Sequence, residues 1–282
     1  MKGMARKKIG LYNEDISVTP EHHLYIEISE EEMVLLSKSG NTQIEAFELF
    51  SLDRSSTDDW NDIFYEVKSA SRFLNSGFRQ VSIFFNVDES ILIPEKLLTA
   101  TSAEDYLNLI YGESTRHEVR YEKLLATKVF INAYRIRKSI IELLNRQFVI
   151  FQCSHTYSNL LNDVMRRPRI DDRFLKIQVY THHFVVAFWK DERLQLIHAY
   201  RYHSAEDLLY YLLRITSQFS VESTECKVEL SGMIDHSSIL FTQIKNVFPN
   251  IQLDNMQAVG VFKAALEEYP AHYFTPFYKL TV

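Results

Sequence analysis

The stretch LYIEISEEEMVLL at 24–36 and the stretch LKIQVYTHHFVVA at 175–187 carry one pattern twice, and no other feature restricts the fold as much. In the first, Leu24, Ile26 and Ile28 alternate with Tyr25, Glu27 and Ser29, the period of a strand with one buried face. In the second, Leu175, Ile177 and Val179 alternate with Lys176, Gln178 and Tyr180 at an offset of 151 residues. Residues 33–37 match 184–188 at the same offset. A third strand follows at an offset of 150, with Ile44, Ala46 and Glu48 against Leu194, Leu196 and His198. A repeat of this length implies two copies of one supersecondary unit.

Each three-stranded meander leads into a helix start signal. Ser56 and Ser204, each three residues before an aspartate (Asp59, Asp207), read as N-cap serines. The first helix is expected to bury Trp60, Ile63, Phe64, Val67 and Phe73, the second Leu208, Leu212, Ile215 and Phe219. Fourth strands follow at 81–85 and 228–230. The first copy continues with a helix at 136–147, a strand at 149–153 and a helix at 158–166. The second continues with a helix at 237–248, presenting Ile239, Leu240, Ile244 and Val247 on one face, and a short strand at 251–253. The charged stretch RRPRIDDR at 166–173 reads as the junction. The expected organisation is therefore a flexible tail at 1–20, a first half at 21–168 and a second half at 169–282. An α+β insertion occupies about 90–135 of the first half, with a helix at 103–110 and strands at 118–125 and 128–134. Ser102 should cap its helix as Ser204 does. The aromatic tail 256–282 should pack back on the body, beginning with a helix at 258–268.

Strand, strand, strand, helix, strand is the ribonuclease-H-like layout, and two such units make the α/β architecture shared by actin, the Hsp70 ATPase domain and the sugar kinases. The chain resembles an uncharacterised bacterial family of unknown function whose members adopt this duplicated actin-like ATPase fold. The resemblance is carried by IEIS at 26–29, SILIPEKLL at 90–98, and LIHAYRYHSAEDLLYYLLRITSQF at 196–219 leading into VELSGMI. It implies a fold and no established activity.

The resemblance also implies a place for ATP: a cleft between the halves, at the turn joining strands one and two of each half. Such turns use glycine, so that backbone N–H groups approach the phosphates, and an aspartate that positions the metal. Here the turns are Ser29-Glu30-Glu31-Glu32 and Tyr180-Thr181-His182-His183, without glycine or aspartate, in a chain with only seven glycines. A close like-charge pair costs about 1 kcal/mol in water and several times more where water is excluded. Glu30, Glu31 and Glu32 therefore oppose ATP unless Mg²⁺ bridges them; otherwise they read as a solvated hairpin tip. Gly232, after Ser231, is either a remnant of an adenosine-side loop or a plain turn residue. His182 and His183 could face the three glutamates across the cleft, as a metal site or as a pH-sensitive electrostatic latch. Adjacent strand histidines point to opposite faces, so neither His22-His23 nor His182-His183 chelates a metal by itself. No catalytic residue or metal set is assigned.

A net charge of −6 gives no general attraction for nucleic acid or anionic lipid. The stretch 116–146 departs from this, with eight basic against three acidic residues and Tyr121, Phe130 and Tyr134 between them. It reads as the solvated side of the insertion before it reads as a nucleic-acid face. Cys153 and Cys226 are expected as buried free thiols. The N-terminus has no apolar signal core and no run reaches membrane-spanning length, so a cytoplasmic protein is expected. The expected role is that of a degenerate actin-like protein without cofactor, acting through a protein partner at its insertion. The alternatives are a divergent Mg-nucleotide ATPase built on the acidic turn and a nucleic-acid-associated factor.

Overall fold

The repeated meander forms in both copies, with the same register and the same irregularity. In the computed structural model, residues 4–13, 19–40, 43–53, 59–99, 101–126, 129–257 and 259–282 are described. They fall into two units, one of 1–162, 259–265 and 281, the other of 163–258, 266–280 and 282.

The first unit begins with β1 (Ala5–Tyr12), followed by β2 (His23–Ile28), β3 (Glu32–Ser39) and β4 (Gln43–Leu52). Helix α1 (Trp60–Ala70) returns the chain to β5 (Gln80–Phe85), parallel to β2. The insertion supplies β6 (Ser90–Pro94), α2 (Ser102–Tyr111), β7 (His117–Lys123) and β8 (Phe130–Arg137). Helix α3 (Lys138–Gln147), β9 (Gln152–His155) and α4 (Thr156–Met165) complete this part of the chain. The main sheet has the order β1-β4-β3-β2-β5-β9, and the insertion folds its own sheet, β6-β8-β7. Leu24, Ile26 and Ile28 project from one face onto Trp60, Ile63 and Val67 of α1 and Ile140 and Leu144 of α3. In the insertion, Ala103 and Leu107 of α2 pack on Ile93 and Ala133.

The second unit repeats the plan with β10 (Phe174–Val179), β11 (His183–Lys190), β12 (Arg193–Arg201), α5 (Ala205–Gln218), β13 (Lys227–Gly232), α6 (Ile239–Val247) and β14 (Ile251–Leu253). Its sheet order, β12-β11-β10-β13-β14, matches β4-β3-β2-β5-β9 strand for strand. Ile28 faces Met33 as Val179 faces Phe184, and Leu36 faces Phe47 as Ala187 faces Ile197. The register shifts at the equivalent step in both copies, after Ser37 and after Phe188, leaving Glu45 and Gln195 as the extra residues of a bulge.

Several expectations need correction. Residues 5–12 are not a tail: β1 pairs antiparallel with β4. It is fastened by Glu48, whose buried carboxylate accepts hydrogen bonds from Lys7 Nζ at 2.7 Å, Tyr12 Oη at 2.5 Å and the Arg72 N–H at 2.9 Å. The cap of α1 is Asp59, which accepts from the Asn61 N–H; Ser56 lies outside the described residues. Phe73 is buried but lies beyond the end of α1. Ser204 and Asp207 form the expected capping box, whereas Ser102 sits inside α2 and binds the Thr99 N–H instead of capping. The strand expected at 149–153 starts at Gln152, because Phe148 and Phe151 turn toward the core and leave Val149 and Ile150 exposed. In α6 only Ile244 is buried, and Ile239 is exposed.

The one-sided strand pattern is also wrong for β10, which is buried at every position. The C-terminal segment packs back on each unit. In the second unit, α8 (Thr275–Tyr278) sets Phe277 against Tyr180 at 5.9 Å between ring centroids. In the first, α7 (Phe262–Ala265) sets Phe262 against Phe47 at 5.5 Å, and Lys38 Nζ donates to the Thr281 carbonyl at 2.6 Å. The single helix expected at 258–268 shortens to α7, residue 258 lying outside the described residues. Gly260 has φ +52° and lies so close to β4 that a Cβ would meet the Ile44 carbonyl at 2.0 Å. No helix among the described residues is long and apolar enough to cross a membrane.

Candidate functional site

In each unit the parallel strands end at the turn where the sequence places its candidates. In the first, the Ser29 N–H donates to the Glu32 carbonyl at 2.9 Å. The Ser29 hydroxyl oxygen then accepts from the Glu32 N–H at 2.9 Å and the Glu31 N–H at 3.3 Å. A serine that folds back in this way satisfies the turn's own donors. Glu32 is buried, and Glu30 pairs with Arg137 Nη2 at 3.0 Å. The solvated tip expected from the sequence is thus a folded turn, held from within by Ser29 and from outside by the end of β8.

The second unit keeps the backbone and changes the side chains. The Tyr180 N–H donates to the His183 carbonyl at 2.9 Å, as Ser29 does to Glu32. The His183 ring stacks on Tyr180 at 4.6 Å with only 5° between planes. Burial, with Arg201 and His182 adding to it, pushes the His183 imidazole down to about 3, so the fold holds it neutral. His182 is exposed. Gly232 has φ +97°, and a Cβ there would lie 2.1 Å from the Val179 carbonyl oxygen. Its N–H donates to the His272 carbonyl at 2.8 Å. Its glycine character is therefore required by the close approach of β10, and its donor is occupied. Glu30, Glu31 and Glu32 come together in the first unit, and His182, His183 and Gly232 gather at the strand ends of the second.

Beside the first turn lies a small pocket with an apolar floor of Ile28, Phe85, Trp60 and Ile140. Its rim is charged. Arg135 and Arg137 stand two residues apart on β8, and Arg135 is buried, reaching Glu89 at 3.3 Å and the Gly112 carbonyl at 2.6 Å. His117 completes the rim, its imidazole lowered by burial. Sequence reading counted these arginines only as members of a basic stretch; their two-residue spacing on a strand was the signal that they share a face. Other cations of the stretch are also engaged: Arg120 with Glu118 at 2.7 Å, Lys123 with Glu95 at 2.5 Å, and Lys138 with the Thr115 carbonyl at 2.9 Å.

A second polar cluster escaped sequence reading altogether. In the second unit, Lys176 is fully buried and donates to Glu229 at 2.7 Å and to Asp254. Arg167 makes a two-pronged contact with Glu229 at 2.7 and 2.9 Å, and Lys279 bridges Asp254 at 2.6 Å and Asp163 at 2.7 Å. Three cations and three carboxylates thereby join residues 163–167, the sheet and the C-terminal segment within this unit. Both cysteines are free thiols, and burial pushes each up to about 11; Cys226 is buried and Cys153 half-buried.

Duplicated meanders, parallel fourth and fifth strands and a common sheet order define an α/β protein of the actin-like ATPase fold. The solved structure of a Bacteroides thetaiotaomicron protein with actin-like ATPase fold and unknown function is similar, with a TM-score of 0.72 and 18% identity over 89% of this chain and 97% of that one. A chain of the PilM–PilN type IV pilus biogenesis complex is similar with a TM-score of 0.58 and 13% identity, over 92% of this chain and 96% of that one. The chain belongs to the family described as protein of unknown function (DUF3822), whose model matches residues 13–251. None of the curated proteins matches it.

Proposed function

We propose that this protein is a catalytically degenerate member of the actin-like fold, which acts through contacts with other proteins rather than by hydrolysing ATP. The observation that carries this reading is the closure of the first turn. The Glu31 and Glu32 N–H groups point to the Ser29 hydroxyl, so donors that a phosphate would use are already engaged. Three carboxylates line the same turn, and the Gly232 N–H of the second unit is bound to His272. These residues do not fit a nucleoside triphosphate. The insertion is the contact surface: it exposes Leu109, Ile110 and Tyr121, and exposed apolar side chains grouped on one subdomain mark interaction sites. A protein of the same fold occurs in a type IV pilus biogenesis complex.

The test is a thermal melt with and without excess Mg-ATP, with Mg-GTP and EDTA as controls. Ligand at about 100 times its dissociation constant stabilises by about 2.7 kcal/mol, a rise of several degrees. No shift is expected. A Mg²⁺-dependent rise, abolished by Glu30→Ala with Glu31→Ala, would refute the reading and make the acidic turn a metal-nucleotide site.

A further inference from the structure

Away from the turns, α1 and the end of α3 border a groove of about 540 Å³. It shares Phe64, Lys68, Asn75 and Gln147 with a neighbouring hollow of about 370 Å³. The floor is apolar, with Phe64, Leu74, Phe78 and Phe148, and Val149 and Ile150 extend it outward. Val149 is fully exposed and Ile150 is 73% exposed. No carboxylate lines either part. Lys68, common to both, donates to the Gln147 side-chain oxygen at 3.1 Å and forms no ion pair among the described residues. Such a surface is complementary to an apolar anchor flanked by acid.

The insertion of the same chain carries that chemistry. Helix α2 buries Ala103 and Leu107 and turns Leu109 (84% exposed) and Ile110 (59%) to solvent. Asp105 lies one turn before Leu109 on the same side of α2, and Glu113 follows the helix end at Gly112. Glu104, Asp105 and Glu113 form no ion pairs among the described residues. We infer that the Leu109–Ile110 face of α2 in one copy docks in the α1–α3 groove of a second copy, with Asp105 beside Lys68. An amphipathic helix in an apolar groove is a recurrent mode of recognition. Because helix and groove are different surfaces, the contact is heterologous and adds copies head to tail. The inference rests on the insertion as contact surface and names what it contacts.

Sedimentation equilibrium of the full chain, from low to high micromolar concentration and at two salt concentrations, tests it. The average mass should rise above 33.2 kDa with concentration and fall back with salt. Leu109→Asp and Val149→Asp should each hold the chain at monomer mass; both positions are exposed, and a thermal melt verifies folding. Mixed one to one, the two variants should form a dimer and nothing larger, since one retains the groove and the other the helix. Lys68→Glu and Asp105→Lys should each abolish association, and the double variant should restore it. A wild type that stays monomeric, association that neither aspartate substitution changes, or a variant mixture that stays monomeric would overturn the inference. None of these outcomes bears on the nucleotide melt, so the two readings fail separately.

Discussion

Glu229 on β13 tests what holds the second unit together. Its carboxylate accepts from Arg167 and from the fully buried Lys176. Burial alone would raise its pKa; the hydrogen bonds from Arg167 and Lys176 outweigh that and carry it from 4.5 to about 2. At about 1.4 kcal/mol per pKa unit, the difference stabilises the fold by about 3 kcal/mol. The unfolded carboxyl takes its proton near pH 4.5 and the folded one near pH 2. The unfolded state thus binds more protons between these values. The stabilisation is complete above pH 4.5 and is lost as pH falls toward 2. Glu229→Gln keeps the shape and removes the charge, leaving Lys176 with Asp254 alone. Melts followed by circular dichroism should show the variant about 6–12 °C below wild type at pH 7, at roughly 2–4 °C per kcal/mol. The gap should close as pH drops from 4.5 toward 2. An equal gap at pH 7 and pH 3 would mean that the loss comes from packing, and the electrostatic reasoning would be refuted.

Gly232→Ala should prevent folding or cost more than about 3 kcal/mol, because it adds a backbone clash to a left-handed φ, whereas Gly40→Ala, with φ +52° and open space around it, should cost only about 1–2 kcal/mol; urea denaturation separates the two. Glu48→Ala should cost about 3–5 kcal/mol by stranding Lys7 in a partly buried site. Hydrogen exchange should then accelerate across β1, and unchanged protection of residues 5–12 would show that β1 is held by its backbone ladder alone.

The meanders were legible because their alternation is strict and appears twice, and the fourth strands because they complete a known order. What was not legible depended on tertiary cover. Lys176 sits on the polar face of β10, and nothing local announces that Lys279 and Asp254 close over it. Tyr12 and Lys7 look like tail residues until Glu48, some forty positions away, supplies their partner. Val149 and Ile150 have the β-branched composition of a strand, yet the flanking phenylalanines, half-buried, are the ones that pack against the core. At the candidate site, the absence of glycine could be read directly, whereas Ser29 as the acceptor of the turn's donors could not. That role depends on a side-chain rotamer, not on a pattern.

The two turns show how far the duplication has been kept. Ser29 donates to Glu32 as Tyr180 donates to His183, Leu52 to Glu31 as Tyr202 to His182, and Asn86 to Ile28 as Met233 to Val179. These three backbone bonds fix the same turn in both units, whatever side chains it carries. The side chains then finish it differently: a hydroxyl folded inward in one, an imidazole stacked on a tyrosine in the other. A glycine-rich phosphate loop leaves its N–H groups open for a ligand. Here the Ser29 hydroxyl takes up two donors of the first turn, the N–H groups of Glu31 and Glu32, and so ties the end of β2 to the start of β3.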